Sequence, residues 1–212
     1  MRRAEQVASR PKPGTLKATA YHEAGHAMAA WYLEVPFVKG KHVLSIVPDG
    51  STQGHCQYKN ILSGRNIDAS STGGDRLKME RMSTVTLAGL AAQRRHRPSS
   101  VRSWQGSADF HSAVDLVRCF TESDRETEAY LKLLQIRAEQ ILDKPCVWEC
   151  VEALAAALLD RKTLSFTEVA EIIKATHARI LENHVKSRGV PLASKKPTRV
   201  GPAQSRGERV SC

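Results

Sequence analysis

Five residues constrain this chain more than any others: His22-Glu23-Ala24-Gly25-His26. They sit in the alanine-rich run LKATAYHEAGHAMAAWYLE, which Thr15 opens with N-cap chemistry and Pro36 stops. The spacing predicts a helix over 15–34. Helical positions four apart lie about 40° apart around the axis and one turn apart along it. Both imidazoles therefore reach one cation from the same side, a geometry that a loop would not fix. Glu23, beside them, reaches a water on that cation rather than the cation itself. Two neutral imidazoles plus a carboxylate suit zinc, and an open fourth position lets the ion acidify a water whose proton Glu23 would accept.

The pair needs a third ligand. A metzincin-type extension would place glycine at 29 and histidine at 32, but the chain has Ala29 and Tyr32, so that class is excluded. The ligand must come from elsewhere. Asp109, His111 and Asp115 share a predicted helix over 107–120, and on composition alone all three are candidates.

Around these residues the patterning is mostly helical. Helices are predicted at 75–95, 123–143, 147–161 and 166–185, the last opened by Ser165 with Glu168 as its capping-box partner. Residues 43–48 and 54–59 read as short strands about the turn formers Pro48-Asp49-Gly50, and a polar loop with Ser63-Gly64 follows them. The expected fold is mainly α with a small β-hairpin. Aromatic residues are only 5% of the chain, so small aliphatic side chains must do most of the packing.

The net charge of +10 is concentrated at the ends. Arg2, Arg3, Arg10 and Lys12 against Glu5 leave +3 on 1–14, and seven basic residues against Glu208 leave +6 on 185–212. The expected organisation is a basic tail over 1–14, one domain over 15–185 and a disordered basic tail over 186–212. Such tails imply at most non-specific contact with polyanions, not a specific nucleic-acid surface. Cysteines 56, 119, 146, 150 and 212 form no C-x-x-C pair, which fits a reducing compartment. The longest clean apolar run, Ala153 to Leu159, is too short for a bilayer, and the first residues lack the apolar stretch of a secretory signal. A cytoplasmic chain without a transmembrane segment is expected. Arg94-Arg95-His96-Arg97 reads as a solvated helix end, His42 and His55, which flank the hairpin and could line a cleft, as surface histidines, and Trp31, Trp104 and Trp148 as packing residues.

Several segments, in order, resemble the peptidase domain of the FtsH-type ATP-dependent zinc proteases. Thr19-Ala20-Tyr21-His22-Glu23-Ala24-Gly25-His26-Ala27 is nearly that family's motif, and Val43 to Gly50 is similar to its segment ending in Ile-Pro-x-Gly. Leu87-Ala88-Gly89-Leu90-Ala91-Ala92 resembles the small-residue helix that packs on the active site. Gly106-Ser107-Ala108-Asp109, with Ala113 and Leu116, resembles the segment carrying an aspartate ligand, and Ala153 to Ile172 resembles the C-terminal helices. The resemblance covers roughly 15–175. It implies that His22, His26 and Asp109 bind Zn2+, that Glu23 is the general base, and that the strand near 43–48 offers its edge to an extended polypeptide substrate.

The departures are specific. The family usually has glutamate where this chain has Gln93 and asparagine where it has Ala108, and both changes weaken the hydrogen bonding that orients ligands. No G-x-x-x-x-G-K-[ST] loop occurs, so an ATPase module is not expected in this sequence, nor are the family's membrane spans. The implied activity is an ATP-independent zinc metalloendopeptidase acting on flexible or unfolded chains. The alternatives are a proteolytic subunit served by a separate ATPase partner, or a catalytically weak, zinc-stabilised peptide-binding module. Family members work as hexameric rings, which makes a homo-oligomer a further implication.

Overall fold

Small side chains let one helix run through the middle of the protein. In the computed structural model, helix α1 (Pro13–Tyr32) buries Ala20, Ala24, Ala27, Ala29 and Ala30 completely. The described residues are 13–40, 42–49, 53–62, 73–101 and 107–187. Nearly all of both basic tails, and Gly50, Ser63, Gly64, Trp104 and Gly106, lie outside them. Helix α2 (Gly73–His96) crosses α1 and is buried without interruption from Met82 to Ala92. A Cβ placed on Gly25 would come 2.5 Å from the Ala92 methyl and 2.7 Å from the Ala88 carbonyl oxygen. Ordinary side chains hold helix axes about 8–10 Å apart, so the glycine is what permits this contact.

Helices α3 (Ala108–Arg118), α4 (Asp124–Asp143), α5 (Pro145–Arg161) and α6 (Phe166–Ser187) complete the helical part. α2 packs against α3 and α4, α1 against α5, and α5 against α6. Their starts follow local chemistry. Ser107 and Ser123 cap α3 and α4 by accepting from the Phe110 and Glu126 amides, and Pro145 opens α5. The predicted capping box on α6 is present: Ser165 N donates to Glu168 Oε2 at 2.8 Å, and Glu168 N donates to Ser165 Oγ at 3.3 Å. α1 begins at Pro13 rather than after a Thr15 cap, because proline's fixed φ suits a first helical position. It ends on Glu34 at φ 57°, with Glu34 N bonded to Trp31 O and Val35 N to Ala30 O, the Schellman pattern. No described helix is long and apolar enough to cross a membrane.

The mainly helical expectation holds, but the hairpin is part of a three-stranded antiparallel sheet in the order β2-β1-β3. Strands β1 (Leu44–Ser45), β2 (His55–Cys56) and β3 (Thr163–Leu164) are two residues each. Leu44 faces Cys56 on one side and Leu164 on the other, while Ser45 faces His55 and Thr163. The Ser45 and Thr163 hydroxyls are 3.0 Å apart. This overturns one expectation. β1, inside 43–48, is the central strand, so its edges are already paired and cannot receive a substrate.

β2 has the open edge instead. Gln57 N donates to Val43 O at 2.7 Å, so residue 57 turns its N–H towards β1. Backbone groups alternate sides along a strand, which directs the Cys56 N–H and C=O away from β1. Among the described residues no strand lies on that side.

Candidate metal centre

Each imidazole of the pair on α1 is tied by its Nδ1 to α2. His22 Nδ1 lies 3.0 Å from Gln93 Oε1, and His26 Nδ1 lies 2.8 Å from the Val85 carbonyl oxygen. Both partners accept, so each ring donates from Nδ1 and turns Nε2 outward. The two Nε2 atoms stand 3.0 Å apart. Gly89 makes room for this, since any side chain there would overlap the His26 ring.

Asp109 arrives from the first turn of α3. Its Oδ2 is 2.9 Å from His22 Nε2 and 3.6 Å from His26 Nε2. Of the three candidates on that helix, only Asp109 joins the pair; His111 and Asp115 are exposed. Three electron-pair donors aimed at one point repel one another unless a cation or proton lies between them. A tetrahedral zinc with bonds of about 2.0–2.1 Å separates its ligand atoms by roughly 3.3 Å. The observed spacings bracket that value, so the donor set and its separations fit zinc.

Burial and charge act together here. Burial would lower the pKa of His26, but the hydrogen bond and charge of Asp109, the charge of Glu23 and the Val85 carbonyl push it up to about 9. Burial would raise that of Asp109, and hydrogen bonds from His22 and His26 outweigh it, holding the carboxyl far below the ordinary carboxylate range. Glu23 is buried, and that burial raises its pKa while His26 and His22 pull the other way. A carboxylate raised in this way is a better proton acceptor near neutral pH.

Glu23 faces a cleft of about 500 Å³. Thr15, Ala18 and Thr19 of α1 line one side, and Gly54 with His55 and Cys56 of β2 another. A Cβ on Gly54 would sit 2.8 Å from Glu23 Oε1 and 2.7 Å from the Ser45 carbonyl oxygen. Glycine there lets the sheet close over the carboxylate. Sequence reading missed Gly54, although its position at the start of a short strand pattern was a signal. His55 lines the cleft half-buried, where a surface histidine was expected, and its Nε2 reaches the carbonyl of exposed His42 at 3.2 Å.

The two departures from the family pattern behave differently. Gln93 keeps a hydrogen bond to His22, and its own Nε2 donates to Ser100 O at 3.4 Å. Ala108 brings no polar side chain to the cleft it lines. Away from the centre, Arg95 is not simply solvated: it bonds to the Leu142 carbonyl, pairs with Asp143 at 3.0 Å and lies 4.1 Å over the Trp148 ring. Trp31 and Trp148 pack on the core as expected.

The chain matches no family model. Among curated proteins, it is 24% identical over 189 positions to the ATP-dependent zinc metalloprotease FtsH of Thermus thermophilus, covering 76% of this chain and 30% of that protein. Over 49 residues it is 49% identical to the mouse mitochondrial inner membrane m-AAA protease component AFG3L2, covering 22% of this chain and 6% of that protein. The chain is distantly similar to FtsH-type zinc metalloproteases. It spans less than a third of the length of either of these relatives. The similarity supports protease chemistry at the level of class, and the His/Asp cluster is able to hold a metal ion.

Proposed function

We propose that this chain carries a zinc-dependent endopeptidase domain over 15–185, with His22, His26 and Asp109 as the ligands and Glu23 as the general base. The observation that carries the reading is the convergence of three donor atoms within 4.8 Å of one another, next to a buried carboxylate facing the same cleft. Bound zinc would supply a Lewis acid that polarises the scissile carbonyl and acidifies water. Glu23 takes the proton of the attacking water and returns it to the leaving amine, a task its raised pKa suits. The outward N–H and C=O of Cys56 hold an extended substrate by strand addition, which recognises backbone rather than sequence and so favours flexible or unfolded chains.

The test is hydrolysis of casein by the parent and by Glu23→Gln, with the zinc content of both measured. Equal zinc and a fall of about 10²–10⁴ in rate for the variant is the expected result. Absence of zinc from the parent sinks the reading. A second reading is that proteolysis depends on an ATPase, in trans or in the same polypeptide, as the name of the Thermus relative indicates for that protein. Equal zinc with casein untouched by either protein, followed by stimulation by an ATPase partner plus ATP, would favour it.

A further inference from the structure

Gln93 occupies a position from which it decides what His22 can do. Its Oε1 is 3.0 Å from His22 Nδ1, and its Nε2 is engaged by the Ser100 carbonyl at 3.4 Å. The second contact fixes which end of the amide faces the ring. With oxygen towards the ring, Nδ1 must carry the proton, which leaves Nε2 able to offer its lone pair to a cation shared with Asp109 and His26, whose donor atoms are 2.9 and 3.0 Å away. With the amide reversed, its NH2 would demand a lone pair on Nδ1, and the ring proton would move to Nε2, where it would block ligation. His26 has no such dependence, because a backbone carbonyl, an acceptor in every state, holds its Nδ1.

From this asymmetry we propose that Gln93 is a positioning residue that sets the tautomer of His22 and, being neutral, tunes the centre to weaker metal binding than a carboxylate would give. The amide is anchored by the Pro98–Ser100 turn that follows α2, so the ligand's orientation is tied to that turn. A carboxylate at Nδ1 draws the shared proton and makes the opposite nitrogen a stronger donor to the metal. An amide polarises the ring less, so His22 is the softer link of the three. The proposal rests on the zinc reading above and extends it to how tightly zinc is held.

The experiment is a zinc titration of the full-length chain against a chromophoric chelator at fixed neutral pH, for the parent, Gln93→Glu and Gln93→Leu. Thermal unfolding of the three metal-free proteins runs alongside. Expected is a loss of about 10- to 100-fold in zinc affinity for Gln93→Leu and a gain for Gln93→Glu. Metal-free unfolding midpoints that do not follow that order separate ligand positioning from a packing role. Affinity unchanged in both variants would overturn the proposal, and Gln93→Glu binding no tighter than the parent would overturn the tuning. Should Gln93→Leu fail to fold, the glutamate variant still decides. A parent that takes up no zinc instead overturns the metallopeptidase reading itself.

Discussion

At the scale of single residues, the candidate centre is governed by where protons sit. His26 has an ordinary pKa of 6.5 that the fold raises to about 9. In the metal-free protein, the protonated ring paired with Asp109 therefore stabilises the fold fully below about pH 6.5, and that contribution is lost as pH rises towards 9. Asp109 has the opposite sign: its depressed pKa gives stability above its ordinary 3.8 that is lost as pH falls through the lower folded value. Zinc needs His26 without its proton. Apparent zinc affinity should then climb with pH by about tenfold per unit between roughly 6.5 and 9, where one proton is displaced per ion. Chelator competition across that range checks the slope, and a flat profile would show that His26 does not give up a proton to the metal. His22, Glu23 and His26 were legible because a helix turns their spacing into geometry. Asp109 was not legible from spacing, since only the packing of α3 on α2 separates it from His111 and Asp115. The resemblance to a known family selected it.

At the scale of elements, helices were readable and strands much less so. All six predicted helices keep their cores, with ends shifted by at most two residues, because apolar periodicity and caps are local signals. β3 was invisible: two residues between α5 and α6, recruited only because Lys162 at φ 70° turns the chain back along β1. That recruitment moved the open edge from β1 to β2. Replacing Cys56 with proline removes the outward N–H at a position that gives no ladder bond to β1. The expected result is a raised KM for casein with zinc content unchanged. Unchanged KM in a zinc-loaded variant would remove strand addition from the proposed mechanism. A second element carries a local cost of its own. Glu34 holds the left-handed position that ends α1, where a side chain costs roughly 1–2 kcal/mol. Glycine there relieves this but adds about 0.4–1 kcal/mol of unfolded-chain entropy. Glu34→Gly should stabilise the protein by roughly 0.5–1 kcal/mol in denaturant titration, and a loss of stability would show that Glu34 contributes contacts outweighing its backbone conformation.

At the scale of the whole molecule, the candidate centre joins α1 and α3, which touch each other little directly and are otherwise linked through α2. α1 and α2 share a close interface of small residues, but α3 is eleven residues long and buries only Ala113 and Val117 within it. Its link to α1 runs through Asp109. A metal ion held by His22, His26 and Asp109 would bridge two helices distant in sequence, and because an unfolded chain offers no such preformed site, its binding energy becomes folding energy. With free zinc roughly 100-fold above the dissociation constant, the gain is about 2.7 kcal/mol. For a chain of this length that raises Tm by about 5–10 °C. Scanning calorimetry with and without a chelator measures it, and hydrogen exchange locates it: protection should rise most in α3, whose few buried side chains leave it most dependent on the bridge. Asp109→Ala should lose most of the zinc-dependent rise in Tm while His111→Ala keeps it. Equal rises in both would place the stabilising ion outside the cluster of His22, His26 and Asp109.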